Sequence, residues 1–287
     1  AQRARVTASL LLSCRDQPGL VAAVAEFVFR HGGNILHADQ HVDHEVGIFF
    51  QRVEFDLDGF TLGRDEISPT FAPVAARFDM RCDVRFSDDI PRVAILVSKQ
   101  PHCLHDLLGR WQSGELRAEI PVVISNHPDH HDAVRFNRAA YEHLPVDPAD
   151  RAAQEAALLD VLADQRIDLV VLARYMQILS PGFVQRFPSR IINFHHSFVP
   201  AFVGAQPYRQ AYERGVKLIG ATAHYATEEL DEGPIIEQDV ARVSHRDSVE
   251  DLVRKGRDLE TVVLARAVRA HLENRVLTYG RKTVVFA

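Results

Sequence analysis

The sequence predicts an α/β protein of two domains. Three observations carry this expectation: a strand-helix-strand-strand-helix-strand order over residues 6–86, apolar strand segments alternating with helical patterns from residue 93 onward, and the polar, proline-ended join Ser87-Asp88-Asp89-Ile90-Pro91 between them. A chain of 287 residues exceeds the common size of one domain, so each part is long enough to bury its own core. The expected division is 1–88 and 89–287.

In the first part, a strand over 6–14 leads to a helix over 20–30 that Gly32-Gly33 closes. Strands over 34–43 and 46–55 follow, joined at Asp43-His44-Glu45 as a hairpin, then a helix over 65–78 and a strand over 80–86. This βαββαβ order is ferredoxin-like. In the second part, strands are expected over 93–97, 120–124, 169–173 and 191–194. Their alternation with helices predicts a mostly parallel, Rossmann-like sheet covered on its faces. Asp147-Pro148 is the expected start of an Ala/Leu-rich helix reaching 164, and Asp247-Ser248 opens a long helix to about residue 271. No internal repeat, low-complexity tract or long linker interrupts the pattern.

Composition narrows the functional classes. With 46% hydrophobic and 25% charged residues the chain has an ordinary globular make-up. A formal charge of −6 offers no broad attraction for a nucleic-acid backbone, so no nucleic-acid partner is expected. Cys14, Cys82 and Cys103 are odd in number and lack Cys-x-x-Cys spacing, which fits reduced thiols and a cytoplasmic protein. The apolar run 8–12 is too short for a signal peptide, and no segment approaches membrane-spanning length.

Most of the functional information lies in Ile191-Ile192-Asn193-Phe194-His195-His196-Ser197 and Glu229-Leu230-Asp231-Glu232-Gly233-Pro234. Side chains alternate along a strand, so Asn193 and His195 project to one face at its carboxyl end, where open α/β sheets bind ligands. The Asn amide donates a hydrogen bond at any relevant pH, an imidazole can pass a proton, and Asp231, returned by a later loop, can orient the imidazole or a water molecule. That set suits attack on a carbonyl followed by protonation of a leaving amine. The competing explanation is a strand end with local hydrogen bonds and an Asp that merely forms a turn.

These motifs, continued by Gly204-Ala205-Gln206-Pro207-Tyr208, Gly220-Ala221-Thr222-Ala223-His224-Tyr225 and Leu230-Asp231-Glu232-Gly233-Pro234-Ile235-Ile236, resemble the folate-dependent formyltransferase superfamily over nearly the whole chain. The His-His-Ser-Phe stretch, the Pro-Tyr pair and the Asp-Glu-Gly-Pro form resemble its deformylase branch. The resemblance implies a formyltransferase-type catalytic domain that hydrolyses 10-formyltetrahydrofolate, supplying formate for one-carbon and purine metabolism, with folate as substrate and neither cofactor nor metal. It implies Asn193, His195 and Asp231 as the catalytic set and Met176, Gln177, Leu179, His224 and Glu229 as substrate-binding residues, with 175–180 and 226–231 as walls of the folate site. His196 is a branch feature that would brace the loop. His224 supports the site or is a satisfied core histidine.

The turn Asp16-Gln17-Pro18-Gly19-Leu20 resembles the ligand-facing turn of ACT regulatory domains. That likeness implies an amino-acid effector at Asp16, Gly19 and Asn34 and association into a homo-oligomer. The alternative is a capped helix start with no ligand.

Two rival activities would need features that the sequence lacks. Formyl transfer to an amine such as glycinamide ribonucleotide calls for a glycine-rich phosphate turn after the first catalytic-domain strand, whereas Ser98-Lys99-Gln100-Pro101-His102-Cys103-Leu104 has no glycine. Metal hydrolysis would draw on His127-Pro128-Asp129-His130-His131-Asp132, but no His-Glu-x-x-His motif or nearby cysteine supports it. A third, non-enzymatic reading is an amino-acid sensor on an inactive scaffold; retention of all three catalytic residue types argues against it.

Overall fold

A computed structural model of the chain describes residues 5–147, 149–195 and 207–287. The chain separates into two compact units: one runs up to Asp89 and takes in Glu273–Tyr279 and Val284–Ala287, the other comprises Ile90–Leu272 and Gly280–Thr283.

The first unit contains β1 (Thr7–Arg15), α1 (Leu20–Arg30), β2 (Asn34–Asp43), β3 (Ile48–Asp56), α2 (Arg64–Arg77) and β4 (Arg81–Phe86). The strands form one sheet in the order β2-β3-β1-β4 with every neighbouring pair antiparallel. The inner face buries Leu10, Leu12, Val53 and Phe55 against Val24, Phe27, Ile67 and Phe71 from the two helices. Gly32 and Gly33 end α1 as expected, returning their amides to Phe29 and Val28 at 3.0 and 2.9 Å. The β2–β3 turn is longer than Asp43-His44-Glu45: it runs to Gly47, whose amide closes onto the Asp43 carbonyl at 2.8 Å.

The second unit is built from β5 (Arg92–Val97), α3 (His102–Gln112), β6 (Glu119–Ser125), α4 (His131–Phe136), β7 (Ala140–His143), α5 (Arg151–Asp164), β8 (Leu169–Leu172), α6 (Pro181–Val184), β9 (Ile191–His195), α7 (Pro207–Arg214), β10 (Leu218–Tyr225), β11 (Ile235–Arg242) and α8 (Val249–Leu272). A hairpin, β12 (Val276–Tyr279) with β13 (Lys282–Val285), ends the chain. The sheet order is β11-β10-β9-β8-β5-β6-β7. Strands β5 to β9 pair in parallel, and β10 runs antiparallel to both of its neighbours. From β5 the chain builds outward through β6 and β7, then returns to lay β8 and β9 on the other side. That reversal makes β5/β8 the switch point and opens a crevice at the carboxyl ends of β5, β8 and β9.

The buried-on-both-faces strands read most clearly from the sequence: every residue of β8 is buried, as are all of β5 after Arg92. Edge strand β7 did not, because Ala140, Glu142 and His143 are exposed and only Tyr141 is half-buried, leaving no apolar run. The start of α5 is corrected. Asp150, not Asp147, is the cap, accepting from Ala153 N at 3.0 Å; Asp147 instead accepts from Ala149 N at 2.8 Å in the preceding turn, and Pro148 lies outside the described residues. At α8 the expected start holds: Ser248 Oγ accepts from Asp251 N at 3.1 Å while Asp251 Oδ2 accepts from Ser248 N at 2.9 Å, a reciprocal cap. Among the described residues no helix is long and apolar enough to cross a membrane.

Candidate active site

The crevice holds a cavity of about 240 Å³ bordered by the segment after β8, the end of β9 and the loop between β10 and β11. Strands β9 and β10 place three of the four central polar side chains. Asn193 and His195 alternate onto one face of β9, and antiparallel register sets His224 of β10 directly opposite Asn193. All three line the cavity.

Asp231 arrives from the β10–β11 loop by a fold-back that its neighbours dictate. A Cβ on Gly233 would lie 1.7 Å from the Tyr225 carbonyl oxygen and 3.2 Å from His224 Nδ1, so the loop packs this close only with glycine there. Pro234 then accepts from Tyr225 N at 3.0 Å. Asp231 itself sits in the left-handed region at φ 56°, a conformation that Asp tolerates better than most residues. Its Oδ2 lies 3.0 Å from His195 Nδ1, and its Oδ1 lies 3.5 Å from Asn193 Nδ2 and 3.6 Å from His224 Nε2.

The hydrogen bond with His195, and next the closely placed imidazole of His224, hold the Asp231 carboxyl far below the usual carboxylate range, outweighing the opposing effect of burial. An ionised Asp231 fixes the proton of His195 on Nδ1, which makes Nε2 the basic nitrogen. His224 is 2% exposed, and its Nδ1 bonds the Tyr225 carbonyl oxygen at 3.0 Å. Its Nε2 is buried with no hydrogen-bond partner among the described residues and faces the Asp231 carboxylate, so the ring is only half satisfied by the fold around it.

Met176, Gln177 and Leu179 all line the cavity. Met176 is 64% exposed, and its amide is anchored on Ser98 Oγ at 3.0 Å, which in turn donates to Asn126 Oδ1 at 2.7 Å. Glu229 is placed differently: its exposed carboxylate lies 3.8 Å from an Arg281 nitrogen, and the preceding Glu228 lines the cavity instead. The loop turns between the two, a detail that adjacency in sequence conceals. Arg174, Ile178 and Leu230 also line the cavity, with Ile178 and Leu230 66% and 60% exposed. Membership of the two wall segments pointed toward the latter pair, whereas nothing in the sequence singled out Arg174. His196 lies outside the described residues. In the 127–132 segment, His130 is buried with Nε2 2.7 Å from the Ser98 carbonyl oxygen, a hydrogen bond that shapes the loop.

In the first unit, Asp16 and Gly19 occupy the exposed turn after β1, with Gly19 at φ 93° preceding α1. Neither the Asp16 side chain nor any other caps that helix. Asn34 is not beside them. It pairs with Asp56, which pairs on its other side with Thr7 at the start of β1, so Asn34 and Asp16 stand at opposite ends of a nine-residue strand, about 27 Å apart along it.

A mostly parallel-sheet domain with an Asn-His-Asp site at the carboxyl end of β9, preceded by a four-stranded βαββαβ unit, defines a formyltransferase-type protein with a regulatory-type N-terminal domain. The family models agree: residues 91–268 match Formyl transferase and residues 8–68 match ACT domain. The chain is 58% identical to a formyltetrahydrofolate deformylase of Synechocystis sp. over 98% of its own length and 99% of the relative's. It superposes on a crystal structure of a formyltetrahydrofolate deformylase from Pseudomonas syringae pv. tomato with TM-score 0.97 at 49% identity, covering 100% of this chain and 96% of that one. The chain belongs to the formyltetrahydrofolate deformylase family. Glycinamide ribonucleotide transformylase 1 from Symbiobacterium toebii is more distant, at 35% identity and TM-score 0.65, covering 71% of this chain and 98% of that one.

Proposed function

We propose that the chain hydrolyses 10-formyltetrahydrofolate to tetrahydrofolate and formate. The observation that carries this reading is the His195-Asp231 pair at 3.0 Å beside Asn193 in one cavity, in a chain similar to named deformylases from end to end. Water adds its oxygen to the formyl carbon, and the carbonyl oxygen gains negative charge that the Asn193 amide meets as donor. The proton lost by water passes to the coupled His195-Asp231 pair. His195 Nε2 then gives a proton to the folate nitrogen as the carbon-nitrogen bond breaks. Ionised Asp231 stabilises the imidazolium formed between these steps. Each task falls to a side chain already in place, so the reading calls for neither metal nor cofactor.

Met176, Ile178, Leu179 and Leu230 supply apolar surface for the faces of the pterin ring, and the polar backbone of the two walls supplies its edge contacts. The formate serves one-carbon and purine metabolism in the cytoplasm. Formyl transfer to an amine rests on the same fold but is not better supported: the turn after β5 has no glycine, and α3 begins at His102 behind Pro101. The ACT domain suggests an amino-acid effector. Because Asp16 and Asn34 stand at opposite ends of β1, one small ligand touching both would bridge two copies of the chain, which ties effector binding to a homo-oligomer.

The test is to incubate the protein with 10-formyltetrahydrofolate and no acceptor, measuring formate and tetrahydrofolate. Stoichiometric release of both, lost in His195→Ala, supports hydrolysis. Turnover appearing only when glycinamide ribonucleotide is added replaces it with transfer. For the effector, amino-acid titration should move turnover and subunit association together.

A further inference from the structure

Behind the cavity a second carboxylate is buried where no step described so far uses it. Glu260, in the middle of α8, is 1% exposed. Its Oε2 lies 2.6 Å from His102 Nε2 at the start of α3, its Oε1 accepts from Tyr208 OH of α7 at 2.8 Å, and Arg174 Nε is 3.8 Å away. Burial alone would push this carboxyl up, but the His102 hydrogen bond, the Arg174 charge and the Tyr208 hydroxyl together hold it below its ordinary value. Space for the cluster is built into the helix, since a Cβ on Gly256, one turn before Glu260, would lie 2.1 Å from Tyr208 OH.

Arg174 connects this cluster to the site. It lines the cavity, its guanidinium carbon lies 6.0 Å from the centre of the Phe194 ring between Asn193 and His195, and it donates to Gln100 Oε1 at 2.9 Å. Its backbone has φ 62°, unfavourable for a residue with a long side chain, and its carbonyl oxygen accepts from Ser98 N at 3.1 Å. Strain of this kind persists where surrounding contacts over-determine the conformation, and it gathers at working sites. Here the surrounding contacts are the hydrogen bonds with Gln100 and Ser98 and the longer, 3.8 Å ion pair with Glu260.

We propose that Glu260 is a positioning residue for the reaction, acting through Arg174: the buried carboxylate holds the guanidinium against Phe194 and so fixes the wall of the cavity beside Asn193 and His195. Cys103 shares the neighbourhood, and His102, Cys103 and Glu260 have ligand atoms within 4.8 Å of one another. A metal is the weaker account. The 2.6 Å separation of His102 Nε2 and Glu260 Oε2 is a hydrogen-bond length, whereas two such ligands on one tetrahedral ion stand about 3.3 Å apart. Burial, and then the Glu260 charge, also push the Cys103 thiol up, away from the thiolate a metal needs.

The inference rests on the hydrolytic reading for its kinetic arm only. Glu260→Gln, Arg174→Ala and the double variant are compared with the wild type in kcat, KM and thermal melting, and a crystal structure of Glu260→Gln is solved. Expected are a loss of roughly tenfold in kcat for Glu260→Gln with KM little changed, a double variant no worse than Arg174→Ala alone, and an Arg174 guanidinium displaced from Phe194 in the crystal. Additive losses in the double variant, or unchanged kcat with only a lowered melting temperature, overturn the proposal. So does an Arg174 that keeps its place and positive φ in the variant crystal, or a stoichiometric metal in the wild type that Glu260→Gln loses. An inactive wild type strikes at the hydrolytic reading instead, and the crystal then decides the positioning role.

Discussion

Asp231 and Glu260 are carboxylates of one domain, each touching a histidine and each held ionised, yet they stand in opposite settings. Asp231 sits on a loop at a left-handed φ of 56° with its side chain 26% exposed to the cavity; Glu260 sits mid-helix at 1% exposure. A glycine makes room for each: Gly233 lets the loop fold onto the Tyr225 carbonyl, and Gly256 lets Tyr208 reach Glu260. The difference teaches that ionisation does not by itself mark a reacting group. What separates them is access, since of the two only Asp231 lines the cavity.

The largest effect is expected at the proposed reacting pair. Asp231→Ala and His195→Ala are each expected to lower kcat by about 10³-fold with the fold retained by circular dichroism, in line with removal of a general acid-base group. Full activity in either variant would end the distinction. Gly233→Ala comes next: a methyl 1.7 Å from a backbone oxygen cannot be accommodated by side-chain rotation, so the loop must shift and carry Asp231 with it. About 10²-fold loss of kcat is expected, the scale of a misplacement near 1 Å. Gly256→Ala should cost less, roughly tenfold, because the obstructing atoms belong to the Tyr208 ring, which can swing aside.

The smallest effect is on pH and stability. Asp231 has a depressed carboxyl in the folded state, so its contribution is fully present above the unfolded value near pH 4 and is lost only as the pH falls through the lower folded value. The stability gap between wild type and Asp231→Asn, measured by urea denaturation, should narrow as the pH falls below about 4. A gap that did not shrink in acid would contradict an Asp231 held ionised by its histidine partners.

Much of this was legible beforehand because strands and helices announce themselves by period. Asn193 and His195 share a face for that reason, and β8, buried throughout, stood out as an unbroken apolar run. Asp231 was readable from its motif, with Gly233-Pro234 as the local sign of a tight return. Glu228 and Glu229 show the limit: adjacent, chemically identical, and separated only by which way a loop turns. Asp16 and Asn34 show another, since the likeness that suggested them gave no sign that they stand at opposite ends of β1.

By itself the sequence determined the βαββαβ order of the first part, the apolar central strands of the second and the identities of the three groups that suit formyl chemistry, because local period and residue type are properties of short segments. Only the tertiary structure decided that His224 stands opposite Asn193, that Arg174 reaches both the cavity and Glu260, and that His102, Tyr208 and Glu260 meet at one point. Those contacts join residues up to 158 positions apart, and no pattern within a segment specifies which distant side chain will fill the space beside it.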